Sequence, residues 1–257
     1  MPPTILGPLL LALGSVAFLA LVGRAFFAVL KPRHVVDDYA RCYEHWHEAE
    51  INGCGQGLLY VPQQPINTYT NAAYLAAGVF VAAWLGTPAA WVFALAMGYL
   101  CVGSMLFHAV STHWGQMLDV TGIYAVFSAT ALYAVAEWVL SWGVGGLAPD
   151  GPIGAWLVAL LMLVGAGLAV SLLAPRYRKD MEIKIGVLLV VAYAATLLHN
   201  LAVWPWVLAS IGLFAVAYAC WAADKARRFP IVPWGHGVWH LLTAAAAAVA
   251  FFAAHRA

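Results

Sequence analysis

The sequence predicts an all-α membrane protein, a bundle of helices that crosses a bilayer many times. Three observations predict it. Of 257 residues, 64% are hydrophobic and 9% are charged, against about 25% charge in ordinary soluble domains. Mean hydropathy is +0.85. The apolar residues are also gathered into eight long stretches, most of them near the ~20 residues that cross a core about 30 Å thick. Apolar runs of that length satisfy their own backbone groups in lipid only as helices. The formal net charge of +1 and the lack of a basic run argue against a nucleic-acid partner.

The first stretch covers residues 4–30. No basic region precedes it, it is too long for a signal-peptide core, and Lys31-Pro32-Arg33 follows it, so it reads as a retained helix. A polar juxtamembrane segment, 31–65, carries Asp37, Asp38, Glu44, Glu48 and Glu50, by default a solvated face. Seven further stretches follow at 66–85, 89–109, 117–142, 153–173, 184–198, 201–221 and 234–254. Glycine, proline and charge mark the joints, as in Gly86-Thr87-Pro88 and Arg227-Arg228-Phe229-Pro230. Only His199 and Asn200 separate the sixth and seventh stretches. One span there would run to about 38 residues, far too long, so a tight helical hairpin is expected.

With eight spans, the loops that start near residues 31, 110, 174 and 222 share one side, and ten of the 12 Lys and Arg map to it. The positive-inside rule makes that side cytoplasmic, with both termini outside. Cys101 and Cys220 lie in apolar runs and read as buried thiols. Cys42 and Cys54 share the polar segment. They could pair only on an oxidising side of the membrane, so a disulfide between them in the native membrane would overturn the cytoplasmic placement.

Ionisable groups within such spans are costly and ordinarily functional. Ser104 and His108 are one turn apart at the end of the third stretch. Asp119 opens the fourth. His236 and His240 stand at i and i+4 at the start of the eighth, so both imidazoles point from one face. Counting crossings puts all five residues on the loop-basic side. Three histidines with an open position suit catalytic zinc. Asp119 has the chemistry to take a proton from water, and Ser104 to donate to an oxyanion. Simpler readings stand beside these: Asp119 at the lipid–water boundary, and Ser104 bonded back to its own helix. His113, His199 and His255 read as interfacial residues, and Ser111 and His113 as part of the turn between two helices. Most of the 12 Trp read as interface anchors.

The segments SMLFHAV, MLD and GHGVWHLLTA resemble the alkaline ceramidases, seven-span membrane hydrolases in a wider superfamily with the progestin and adipoQ receptors and the hemolysin III proteins. Pro65-Ile66-Asn67-Thr68-Tyr69-Thr70-Asn71 is similar to the family's first-span motif. The resemblance implies a seven-span hydrolase-like core over 66–257, with 1–30 as an additional N-terminal transmembrane helix. It implies zinc on His108, His236 and His240, assisted by Asp119 and Ser104, and hydrolysis of a ceramide-like membrane lipid to a sphingoid base and a fatty acid. The family's calcium-binding acidic stretch corresponds in this chain to Asn52-Gly53-Cys54-Gly55-Gln56, with Gln64 where Glu is frequent. Calcium takes several carboxylates, and that stretch has none, which argues against calcium unless Glu44, Glu48 or Glu50 substitute. Asp119-Val120-Thr121-Gly122-Ile123 looks more like the receptor branch. A non-catalytic lipid-binding or receptor-type protein with a structural zinc site is therefore the alternative. A haem carrier is disfavoured, because no haem-attachment motif or facing pair of axial ligands is present.

Overall fold

A computed structural model describes residues 5–29, 62, 64–110, 113–142, 152–176, 179–226 and 234–257. Among these residues the secondary structure is helical, with no strand. The helices are α1 (Leu6–Val29), α2 (Pro65–Thr70), α3 (Ala72–Leu85), α4 (Pro88–Val110), α5 (His113–Leu140), α6 (Pro152–Leu173), α7 (Met181–His199), α8 (Trp204–Lys225) and α9 (Gly235–Arg256). Six of them, α4 to α9, are long and apolar enough to cross a membrane, which fits an integral membrane protein.

Several boundaries move from their expected places, each for a local reason. The 66–85 stretch is two helices, interrupted at Asn71. The Asn71 side-chain amide donates to the Asn67 carbonyl at 2.7 Å, and the Thr70 hydroxyl donates to the Ile66 carbonyl at 2.8 Å. At Asn71 the side chain thus takes the acceptor that the residue's own backbone N–H would use, and that N–H turns to the Tyr69 carbonyl. His113, expected in a turn, is the first residue of α5. α7 starts one turn before Lys184, whose ammonium reaches back to the Arg176 carbonyl at 3.2 Å and so leaves a polar head at the helix end. Between α7 and α8, Asn200 is extended (φ −148°, ψ 106°) and its side chain accepts from the Ala202 amide. That ends α7 and starts a short 3₁₀ turn, Leu201–Val203, with Pro205 in the first turn of α8.

The helices divide into an inner and an outer set. In α4, α5 and α9, 56–61% of the spanning residues are buried, against 17–22% in α6, α7 and α8. The inner set carries the core, with Phe93 stacked on Phe251 and Phe251 on Tyr133, both at 4.5 Å between centroids. The outer set presents Leu160, Leu168, Leu172, Val190 and Leu208 outward, as lipid-facing helices do. α1 packs on α3. α7 packs on α5 and α8 on α9. The expected hairpin reverses the chain, and a Tyr193–Ser210 hydroxyl bond of 2.8 Å ties its two helices.

α4 and α5 approach closely because two positions lack a side chain. A Cβ on Gly103 would lie 2.7 Å from the Leu118 carbonyl carbon and oxygen, and one on Gly122 would lie 2.6 Å from the Leu100 Cα. These are backbone contacts that no rotamer relieves. They bring the Ser104–His108 turn of α4 beside the Asp119 turn of α5. Gly122→Ala should therefore force the pair apart and lower stability by about 1–3 kcal/mol, measured as reduced thermal stability of the purified protein. Gly167→Ala, where nothing lies within 4 Å of the added Cβ, should leave it unchanged.

Candidate metal centre

At one end of the bundle, α4 finishes, α9 begins and α2 begins. His108 lies in the last turn of α4, and His236 and His240 occupy the first two turns of α9. The i,i+4 spacing stacks the α9 pair on one face, with ring centroids 4.6 Å apart. That face turns toward α4. His108 stands 4.7 Å from His236 and 5.0 Å from His240, between centroids. All three residues are buried, with exposures of 1%, 5% and 2%. Their ligand nitrogens lie within 4.8 Å of one another, and among the described residues no other group of three or more His, Cys, Asp or Glu comes together in this way.

The donor set can hold a metal ion. Two nitrogens each about 2.0–2.1 Å from a tetrahedral ion stand about 3.3 Å apart. The Nε2 atoms of His108 and His236 are separated by 3.1 Å. Three imidazoles suit zinc, copper, iron or nickel, whereas calcium and magnesium prefer oxygen.

Beside this cluster lies a cavity of about 370 Å³, within the range of small-molecule sites. Ser104, Asp119, Gln116, Glu182, His236 and His240 line it at the histidine end. Val126, Phe127, Leu189, Phe214 and Ala247 line it farther in. Along α9 it runs from His236 to Ala247, about 16 Å at 1.5 Å per residue. Its walls come from α4, α5, α7, α8 and α9 together with Tyr74 of α3. The cavity is polar at one end and apolar at the other.

The five expected site residues thus meet at one end of the bundle. His108, His236 and His240 form the cluster, while Ser104 and Asp119 sit on the wall of the adjoining cavity, the first buried and the second half-buried. His199 is at the end of α7 and His255 at the end of α9, far along the helices from the cluster. His255 accepts or donates to the Tyr133 hydroxyl at 2.8 Å. Cys42, Cys54, Glu44, Glu48 and Glu50 lie outside the described residues, and with them the expectations about a disulfide and calcium.

Three contacts are not visible in the sequence. The His108 Nδ1 lies 2.8 Å from Gln64 Oε1, and the His240 Nδ1 lies 3.0 Å from Thr70 Oγ1. Tyr74 makes a third, its hydroxyl 2.6 Å from that of Thr243 on α9. Gln64, Asn67, Thr70 and Tyr74 follow one another at spacings of three and four, a single helical stripe. That periodicity is a signal, but nothing in it names the helices it faces.

No family model, curated protein or solved structure matches the chain. The site therefore rests on its own geometry. Purified protein should carry about one transition-metal ion per chain if all three imidazoles act as ligands. His236→Ala should reduce that stoichiometry to near zero by elemental analysis, while His255→Ala should retain it.

Proposed function

We propose that this protein is a zinc-dependent amide hydrolase of the membrane, acting on ceramide-like lipids and related to the alkaline ceramidases that its motifs resemble. The observation that carries the reading is the meeting of a three-imidazole cluster with a cavity that is polar beside the cluster and apolar beyond it. A lipid amide has the same division, with a polar linkage at one end and long chains behind it.

His108, His236 and His240 would hold the zinc. Zinc held there would supply Lewis acidity and activate water at neutral pH. Asp119, on the cavity wall, takes the proton from the attacking water and passes it to the departing amide nitrogen, so that amide and water become a carboxylic acid and an amine. The Ser104 hydroxyl donates to the carbonyl oxygen as it gains negative charge. Phe127, Phe214 and Ala247 receive an aliphatic chain and keep water away from the inner end. By the positive-inside rule, the catalytic end faces the cytoplasm.

The test is a hydrolysis screen over lipid amides and esters, with the fatty acid and the amine both measured. Asp119→Asn should slow turnover about 10²- to 10⁴-fold, and Ser104→Ala about 10²- to 10³-fold, with zinc content unchanged in both. Ala247→Phe should shift preference toward shorter chains, because it fills the inner end of the cavity and leaves the histidines in place. Tight lipid binding without turnover on any amide or ester would move the protein to the receptor-type reading. Turnover undiminished after complete zinc removal would sink the zinc-hydrolase mechanism.

A further inference from the structure

We propose that Gln64 and Thr70 are positioning residues that set two of the three histidines to present Nε2 to a metal. The proposal rests on the metal reading above and adds residues that the motif pattern does not assign to it. A neutral imidazole carries one proton, on Nδ1 or on Nε2, and the partner of one nitrogen decides which form prevails. In hydrocarbon surroundings that choice is strongly biased, because a donor facing a donor leaves a buried group unsatisfied.

Counting hydrogens fixes the roles. The Thr70 hydroxyl has a single proton, and it is directed at the Ile66 carbonyl at 2.8 Å, with the Asn67 carbonyl at 3.2 Å. With its proton on the Ile66 carbonyl, Thr70 Oγ1 accepts from His240 Nδ1 at 3.0 Å, which is the assignment proposed for this pair. At the other histidine, Gln64 Oε1 receives the Asn67 side-chain amide at 2.9 Å and stands 2.8 Å from His108 Nδ1. An amide oxygen only accepts, so His108 Nδ1 carries the proton. Both histidines thereby keep a lone pair on Nε2. For His108, that atom faces His236.

The positions are well built for this. Gln64, Asn67 and His108 are 0–1% exposed. The Gln64 backbone amide donates to the His108 carbonyl at 3.2 Å, so α2 is tied to the end of α4 at two points. Thr70 also packs beside Gly237: a Cβ on that residue would meet the Thr70 Cγ2 at 3.3 Å. Both acceptors are uncharged. They orient the ligands without adding a carboxylate to the centre.

The experiment has two readouts on full-length protein in lipid nanodiscs. The first is ring ¹⁵N chemical shifts of metal-free protein at pH 8. His108 and His240 should carry hydrogen on Nδ1, and Gln64→Met should redistribute the His108 proton. The second is zinc affinity by chelator competition. Gln64→Met should lose about 10- to 100-fold, the usual cost of removing a partner of a ligand histidine. Thr70→Val removes the oxygen that faces His240 Nδ1 and should lose about 10-fold or more. Gln64→Glu and Thr70→Ser restore an acceptor and should bind at least nearly as tightly as wild type, which a general loosening of the bundle would not produce. Should Gln64→Met fail to fold, Thr70→Val, which keeps the shape of the side chain, decides the matter for His240. Wild type that loads zinc while Gln64→Met and Thr70→Val load it equally well would overturn this proposal alone. Metal-free wild type with hydrogen on Nε2 of His108 and His240 would overturn it too. Wild type that binds no zinc would overturn the metal reading, and this proposal with it.

Discussion

A neutral imidazole in a nonpolar interior brings one donor and one acceptor, and both need partners. In this protein three imidazoles are buried together where α2, α4 and α9 meet. Much of the local structure follows from that constraint. Gln64 and Thr70 accept from two of the rings, Asn67 supports Gln64, and Asn71 is bonded back to the Asn67 carbonyl. The helix that supplies these groups is short, Pro65–Thr70. An all-apolar helix at this position would offer the two rings no partners.

Close packing sets where the polar end of the molecule can be. Gly103 and Gly122 let α4 and α5 meet backbone to backbone, which brings the turn containing Ser104 and His108 alongside the turn containing Asp119. Aromatic stacking of Phe93, Phe251 and Tyr133 joins α4, α9 and α5 deeper in the bundle. The three inner helices are thus held rigidly, and each contributes to the site. The outer helices α7 and α8 pack on α5 and α9 respectively. The cavity occupies the room left among them, its polar end built mostly by the inner helices with Glu182 from α7, and its apolar wall shared by both sets.

Much of this is legible in the sequence, for identifiable reasons. Hydrophobic length marks α4 to α9 because the bilayer thickness imposes it. The i,i+4 spacing of His236 and His240 marks a shared face because helix geometry imposes that. Counting crossings places His108 and Asp119 at the same end as this pair, since each span reverses direction. Boundaries are less legible where polar side chains continue a helix: α5 reaches back to His113, and α7 takes in Lys184, whose charged head bends back to the Arg176 carbonyl.

What the sequence by itself determined is the membrane-helical class, the polarity of the candidate end and the three histidines. All are consequences of composition and of periodicity along a single chain direction. Only the tertiary structure decided which helices are inner and which outer, how near the rings come, and where the cavity runs. It alone brought Gln64 to His108 and Thr70 to His240, partners 44 and 170 residues apart. The reason is physical: a helix's sequence states which face is polar, but the rotation and depth at which that face meets another helix are set by packing around glycines and aromatic rings that belong to other helices.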